Sequence, residues 1–257
     1  MQAGPLVDVR NVSMKYHTPE GEIPALKDIS LEIKKGEFIG IVGPSGCGKT
    51  TLLNIIAGLI TSYDGEVLIH GKAVKRGSRL IGYMPQSDQL FEWRTIWKNV
   101  LLGLEVQNNV NERTEAFARQ LLENYGLKEF ARAFPSQLSG GMRQRVALIR
   151  TLAVNPEILV LDEAFSALDY QTRLVVADEV KQIMVKENKT AILVTHDISE
   201  AISMSDKIVV LTKRPGSIKS IHSIELTCSD NTPMKSREAP EFRHYFNSIW
   251  KELDVHV

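Results

Sequence analysis

The chain has 257 residues, enough to bury a full core as one α/β domain or two small ones. Its 31 Lys and Arg match its 31 Asp and Glu, so there is no overall basic field to hold nucleic acid, although a local patch stays open. No apolar run nears the roughly 18 residues of a membrane span, "MQAGPLVDVR" lacks the apolar core of a signal peptide, and two cysteines give no disulfide framework, which fits a reducing cytosol.

In chain order, "PLVDVRNVSMKY" and "LEIKKGEFIGIVG" read as strands, with Gly36 at the turn before the second. Leu52, Ile55, Ile56 and Leu59 recur at helical spacing, so an amphipathic helix starts in the glycine loop and stops near Gly58. "GEVLIHG" and "LIGYMPQ" are short strands. From about 94 to 153 strand signals vanish, and Arg113–Tyr125 and Gly141–Val154 read as helices of an insert. Strand signals resume at "ILVLD" (158–162), "AILVTH" (191–196) and "KIVVLT" (207–212). These are almost wholly apolar, as expected of parallel strands buried on both faces. "LVVADEVKQIMVKE" is the crossover helix between two of them, and "SREAPEFRHYFNSIWKEL" reads as an amphipathic terminal helix.

"GPSGCGKT" (43–50) fits G-x-x-x-x-G-K-[ST] between an apolar strand and a helix, the context that distinguishes a P-loop from a chance glycine-rich turn. Glycines let backbone N–H groups approach phosphate oxygens. Lys49 is expected to reach the β and γ phosphates, and the Thr50 hydroxyl to ligate Mg²⁺. Asp162 ends a buried strand, where open α/β sheets bind ligands. An acid there can hold Mg²⁺ through water, and Glu163 can orient or deprotonate an attacking water. Alone, two acids at a strand end are also compatible with a solvated terminus; the P-loop tips the balance. His196 ends another such strand and is either structural or a γ-phosphate contact, the latter favoured by the sheet edge it shares with Asp162. Cys47 sits in the loop near a helix N-terminus, a setting that favours the thiolate, yet it reads first as a small residue filling a loop position; alkylating it is expected to block ATP binding. "LSGGM" (138–142) opens a second helix with paired glycines, a second anion-binding helix start in a chain that already has a phosphate loop.

The ordered set resembles the ATP-binding subunit of an ABC transporter along essentially the whole chain: P-loop, Gln86 in "GYMPQ", signature "LSGGM", Walker B "ILVLDE", "SALD" (166–169) and "TH" (195–196). The resemblance implies an α/β P-loop NTPase, with a RecA-like core and parallel sheet, an N-terminal antiparallel β subdomain and an inserted α-helical subdomain. Core and β subdomain would span about 1–86 and 155–217, the helical subdomain about 87–154, and a tail with a helix 218–257. It implies an ATPase using ATP and Mg²⁺ and working as a homodimer, in which Ser139, Gly140 and Gly141 bind the ATP held by the other copy. Gly43, Pro44, Ser45, Gly46, Cys47, Gly48, Lys49, Thr50 and Thr51 would surround the nucleotide. Thr50, Gln86 and Asp162 would serve the metal, and Glu163, His196 and Gln86 the hydrolysis. Tyr16 would stack on adenine, unless it simply ends an edge strand, and Asp169 would couple the two sites. Met142 departs from the family's usual glutamine, which removes an amide contact to the partner's ribose.

The family places a membrane-subunit helix against the region after Gln86, where "SDQLFEWRTIWKNVLLGL" carries Phe91, Trp93 and Trp97, aromatics suited either to an interface or to the insert's own core. "EWRTIWKNVLLGLE" and "KRPGSI" (213–218) are similar to the branch that energises nitrate, sulfonate and taurine uptake. The implied function is solute import through a separate permease, with a solute-binding protein in the complex, at the cytoplasmic face of the membrane. An exporter subunit and a soluble ABC ATPase are the alternatives. The latter usually carries two cassettes or a long coiled-coil insertion, and here about fifty residues separate Gln86 from the signature.

Overall fold

A strand buried on both faces must be apolar throughout, whereas one that covers a core from one side alternates; the chain contains both kinds. The computed structural model describes residues 4–228 and 232–253. The first elements are β1 (Val7–Thr18), β2 (Gly21–Ile33), β3 (Phe38–Val42), α1 (Lys49–Ile56), β4 (Asp64–Ile69), β5 (Lys72–Ala73) and β6 (Ile81–Met84). Next come α2 (Ile96–Val106), α3 (Glu112–Asn124), α4 (Gly140–Ala153), β7 (Ile158–Asp162), α5 (Tyr170–Lys186) and β8 (Thr190–Val194). The remainder is α6 (Ile198–Met204), β9 (Lys207–Leu211), β10 (Ile218–Ser223), α7 (Pro233–Ser236) and α8 (Phe242–Leu253). They form two units, residues 1–78 with 181–257 and residues 79–180.

In the first unit, β2-β1-β4-β5 is an antiparallel sheet. Ile29, Leu31 and Ile33 of β2 are buried while Ser30 and Glu32 between them are exposed. Pro24, which cannot donate to a ladder, sits in this edge strand. β3 lies between β8 and β9 and runs parallel to both, with Ile41 opposite Val194 and Val209. Every residue of β3 and β8 is buried. β10 closes the edge antiparallel to β9. The expected tail therefore contributes a strand, while its residues 229–231 and 254–257 lie outside the described residues. The terminal helix is shorter than the expected 236–253: Pro240 disfavours helical backbone at Ala239, and α8 starts at Phe242. Its Phe242, Tyr245, Phe246 and Ile249 pack on Val42, Ile198, Ile202 and Val210.

In the second unit, β6 and β7 pair in parallel, Met84 opposite Leu161, accompanied by α2, α3 and α4. The helix α2, which sequence reading left undefined, starts at Thr95, whose hydroxyl caps Lys98 N–H. The fully buried Asn99 fixes the loop before it, accepting from Phe91 N–H and donating to the carbonyls of Phe91, Arg94 and Thr95. Among the described residues no helix is long and apolar enough to cross a membrane.

Candidate functional site

In the first unit, the loop Gly43–Gly48 leaves the carboxyl end of β3, beside the carboxyl end of β8 that carries the exposed His196. Gly46 (φ 73°) and Gly48 (φ 107°) adopt left-handed backbone, which makes the reversal into α1 cheap for glycine and strained for other residues. Lys49, 8% exposed, folds back so that its ammonium donates to the carbonyls of Gly43 (2.8 Å) and Pro44 (3.1 Å). Ser45, Gly46 and Thr50 are exposed around it. Tyr16 presents an exposed ring whose hydroxyl is bonded to Thr51 Oγ1 at 3.0 Å, which holds the ring on α1. Cys47 fills the loop as a small buried residue. It is 1% exposed, and burial pushes its thiol up despite the opposing pull of Lys49, so it is no poised thiolate.

In the second unit, Gln86 follows β6, and Asp162 ends the adjacent β7, with Glu163 just after it. Asp162 is buried and accepts from the Tyr83 hydroxyl at 3.3 Å; burial and this carboxylate drive the phenol's pKa far up, so Tyr83 remains a donor. Glu163 has φ 49°, a left-handed backbone that costs a residue with a side chain about 1–3 kcal/mol and is found at functional sites. Its carbonyl accepts from Ser166 N–H (3.1 Å) and Oγ (2.8 Å), which holds that conformation, and its carboxylate accepts from Gln86 Nε2 at 2.8 Å.

The signature opens α4. Ser139 is the N-cap, accepting from Met142 N–H at 3.3 Å, and Gly140 and Gly141 form the first turn. A Cβ on Gly140 would meet nothing within 4 Å, and one on Gly141 only Leu168 Cδ2 at 3.5 Å. Neither glycine has positive φ. Glycine is a poorer helix former than alanine, and among the described residues no packing contact requires either. Gln144 ties α4 to the turn after β7, donating to Ala164 O at 2.6 Å. Asp169, exposed at the start of α5, accepts from Thr172 N–H at 3.0 Å, and its hydrogen bonds with Thr172 hold its carboxyl below the usual range.

Sequence reasoning missed two arginines on one face of α4. Arg143 donates to both carboxylate oxygens of Asp88 (2.9 and 3.2 Å) and pairs with Glu92 at 2.7 Å. Arg150, seven residues on, donates to the carbonyls of Gln89 (2.8 Å) and Asp88 (2.7 Å). Together they fasten the segment after Gln86 to the signature helix; their i, i+7 spacing was the available signal. Of the three aromatics there, Trp97 lies under the Arg119 guanidinium (4.5 Å), inside the insert, whereas Trp93 is 76% exposed and leans on Phe91.

A family model described as "ABC transporter" matches residues 26–166. The chain belongs to the ABC transporter ATPase family. The cassette is 47% identical over 246 residues, 96% of this chain and 95% of the other, to an uncharacterized ABC transporter ATP-binding protein, YtlC, of Bacillus subtilis. It is 35% identical over 251 residues to the taurine import ATP-binding protein TauB of Roseobacter denitrificans, covering 95% of this chain and 94% of that one. Among solved structures it is similar to the ATP-binding cassette MJ0796, whose structure is a dimer in a post-hydrolysis state bound to ADP and Pi. The TM-score is 0.77 and the identity 34%, over 85% of this cassette and 99% of that chain. The cassette thus has the ABC ATPase fold, with parallel strands, an antiparallel β subdomain and helices.

Proposed function

We propose that the cassette is the ATP-hydrolysing subunit of an importer, that two copies close around two ATP molecules, and that closure drives a separate membrane permease. One observation carries this reading: the open paired glycines at the N-terminus of α4, which no intrachain contact requires, leave backbone N–H groups approachable by an anion from outside. The triphosphate on the partner copy's P-loop is that anion, and the dimeric state of MJ0796 supports the pairing of two copies.

In this reading Lys49 and the backbone of residues 43–51 hold the β and γ phosphates, and Tyr16 stacks on the adenine, its ring oriented through Thr51. The hydroxyl of Thr50, the carboxylate of Asp162 and the amide oxygen of Gln86 are oxygen donors of the kind that suits Mg²⁺; these residues would hold the ion, which would supply neutralisation of the phosphate charge. Glu163 takes the proton of the attacking water as its oxygen bonds to the γ phosphorus and the bond to ADP breaks, while Gln86 orients that carboxylate. His196 contacts the γ phosphate, and Asp169 couples the two sites at the start of α5. Met142 contributes no polar side-chain contact, and the backbone of Ser139–Gly141 suffices.

Trp93, with Phe91 beside it, is the surface offered to the permease, which needs exposed aromatic area to anchor. The relative's name supports import of a small sulfonate such as taurine; the proposal adds a place at the cytoplasmic face of the membrane and a solute-binding protein that feeds the permease. Replacing Glu163 by Gln removes the proton acceptor and keeps the shape. With ATP and Mg²⁺, Glu163→Gln should elute from gel filtration as a stable dimer that ADP does not produce. Monomers under all conditions would refute the proposal.

A further inference from the structure

We propose that the turn 212–217 is the back wall of the phosphate loop and that Gly216 is a positioning residue for nucleotide binding; this rests on the reading of residues 43–50 as the ATP site. The turn is closed on itself by Thr212 N–H to Ser217 O and Ser217 N–H to Thr212 Oγ1, both 2.9 Å. It is stitched to β2 at four points. Gly216 N–H donates to Ala25 O and Lys27 N–H to Gly216 O, both 2.9 Å; Arg214 Nε donates to Pro24 O at 3.1 Å and Ser217 Oγ to Lys27 O at 3.0 Å.

The same stretch of β2 touches the phosphate loop. A Cβ on Gly48 would lie 2.8 Å from both Ala25 O and Leu26 Cδ2. A Cβ on Gly216 would lie 2.2 Å from the carbonyl oxygen of Cys47 and 3.4 Å from Leu26 Cδ2. The Cys47–Gly48 peptide is therefore confined between β2 and the turn. That peptide is planar, so its carbonyl on the turn side fixes the direction of the Gly48 N–H on the other, in the loop assigned to the phosphates. Gly216 does not have positive φ, so its backbone conformation is open to alanine. Closeness to Cys47 O is what excludes a side chain. Moving a Cβ from 2.2 Å to ordinary contact at 3.4 Å requires more than 1 Å of separation. The turn is held by its four bonds to β2, so the loop moves, and misplacement on the order of 1 Å at a binding site costs up to about a hundredfold.

The experiment is isothermal titration of ATP with Mg²⁺ into the full chain, alongside steady-state ATPase kinetics and a melting curve without nucleotide. Gly216→Ala should weaken ATP binding by about tenfold or more and raise KM by more than it lowers kcat. Leu121→Ala, in the buried face of α3 and destabilising through the core alone, should lower the melting temperature and leave the ATP affinity at its wild-type value. Should Gly216→Ala not fold, Arg214→Ala decides: it inserts no atom and only loosens the wall, and a rise of about twofold or more in Kd supports the proposal. Wild-type affinity in folded Gly216→Ala, or in Arg214→Ala where Gly216→Ala does not fold, overturns the positioning role. A wild-type chain that binds no ATP overturns the nucleotide site itself, and the positioning role with it.

Discussion

Cys47 illustrates how burial outweighs neighbouring charge. Its place before α1 and two residues from Lys49 favours a thiolate, yet desolvation at 1% exposure is larger than the pull of Lys49 and raises the thiol's pKa. With the thiol both protonated and covered, iodoacetamide on the native protein at pH 8 should label Cys228, which is partly exposed, and spare Cys47; both should react in denaturant. Peptide mapping by mass spectrometry checks this, and rapid native labelling of Cys47 would contradict the burial argument. The residue types and spacing of the P-loop were legible in the sequence because its backbone geometry admits few alternatives at Gly46 and Gly48. The access of Cys47 to solvent was not, since it depends on how the folded chain packs around the thiol, which lies beside Gly43.

Helix α4 joins two functions, an open N-terminus and a clamped flank. The flank is testable through Arg143. Burial alone would raise the Asp88 carboxyl, but hydrogen bonds from Arg143 and from Leu90 N–H, with the charges of Arg143 and Arg150, outweigh it and hold the group below its ordinary value. A depressed carboxyl contributes stability above its unfolded pKa and loses it as pH falls through the lower folded value. Arg143→Ala should therefore cost about 1–2 kcal/mol in urea unfolding, a partly exposed charge-assisted pair, from neutral pH down to about pH 4. The difference should close in more acid solution. Arg143→Lys should recover only part, because an ammonium cannot reproduce the fork on both oxygens. A wild-type midpoint for Arg143→Ala at pH 7 would show the clamp to be idle. Elements legible in advance were those with one dominant signal, such as the apolar runs β3, β7 and β8 and the periodic α1, α3 and α4. The strand β10 was hidden because, after Ile218, its inward face carries Ser220 and His222, polar groups that bond to Glu252 of α8 instead of continuing an apolar alternation.

In the unit made of residues 1–78 and 181–257 the last helix packs on the core. The fold class was readable because a glycine loop between strand and helix and apolar parallel strands point to an α/β core, and the ordered motifs resemble an ABC ATPase. The place of the C-terminal segment was not, since an amphipathic helix announces an apolar face without naming what covers it. The structure supplies the answer: Ile249, fully buried, fits among Ile198, Ala201 and Ile202 of α6, Ile208 and Val210 of β9 and Val42, the residue before the phosphate loop. Truncating it leaves a cavity among residues from both segments of the unit, so the loss is not confined to α8. Ile249→Ala should destabilise by about 2–5 kcal/mol, at the upper end if the rigid sheet prevents collapse into the void. Its urea midpoint should fall with unchanged slope, because the surface exposed on unfolding is the same. A chain ending at Glu241 removes α8 whole, uncovers Val42, Ile198, Ile202 and Val210, and should be recovered mainly as aggregate. A soluble truncated chain with the full-length midpoint would mean that α8 is an appendage of this unit and not a part of its core.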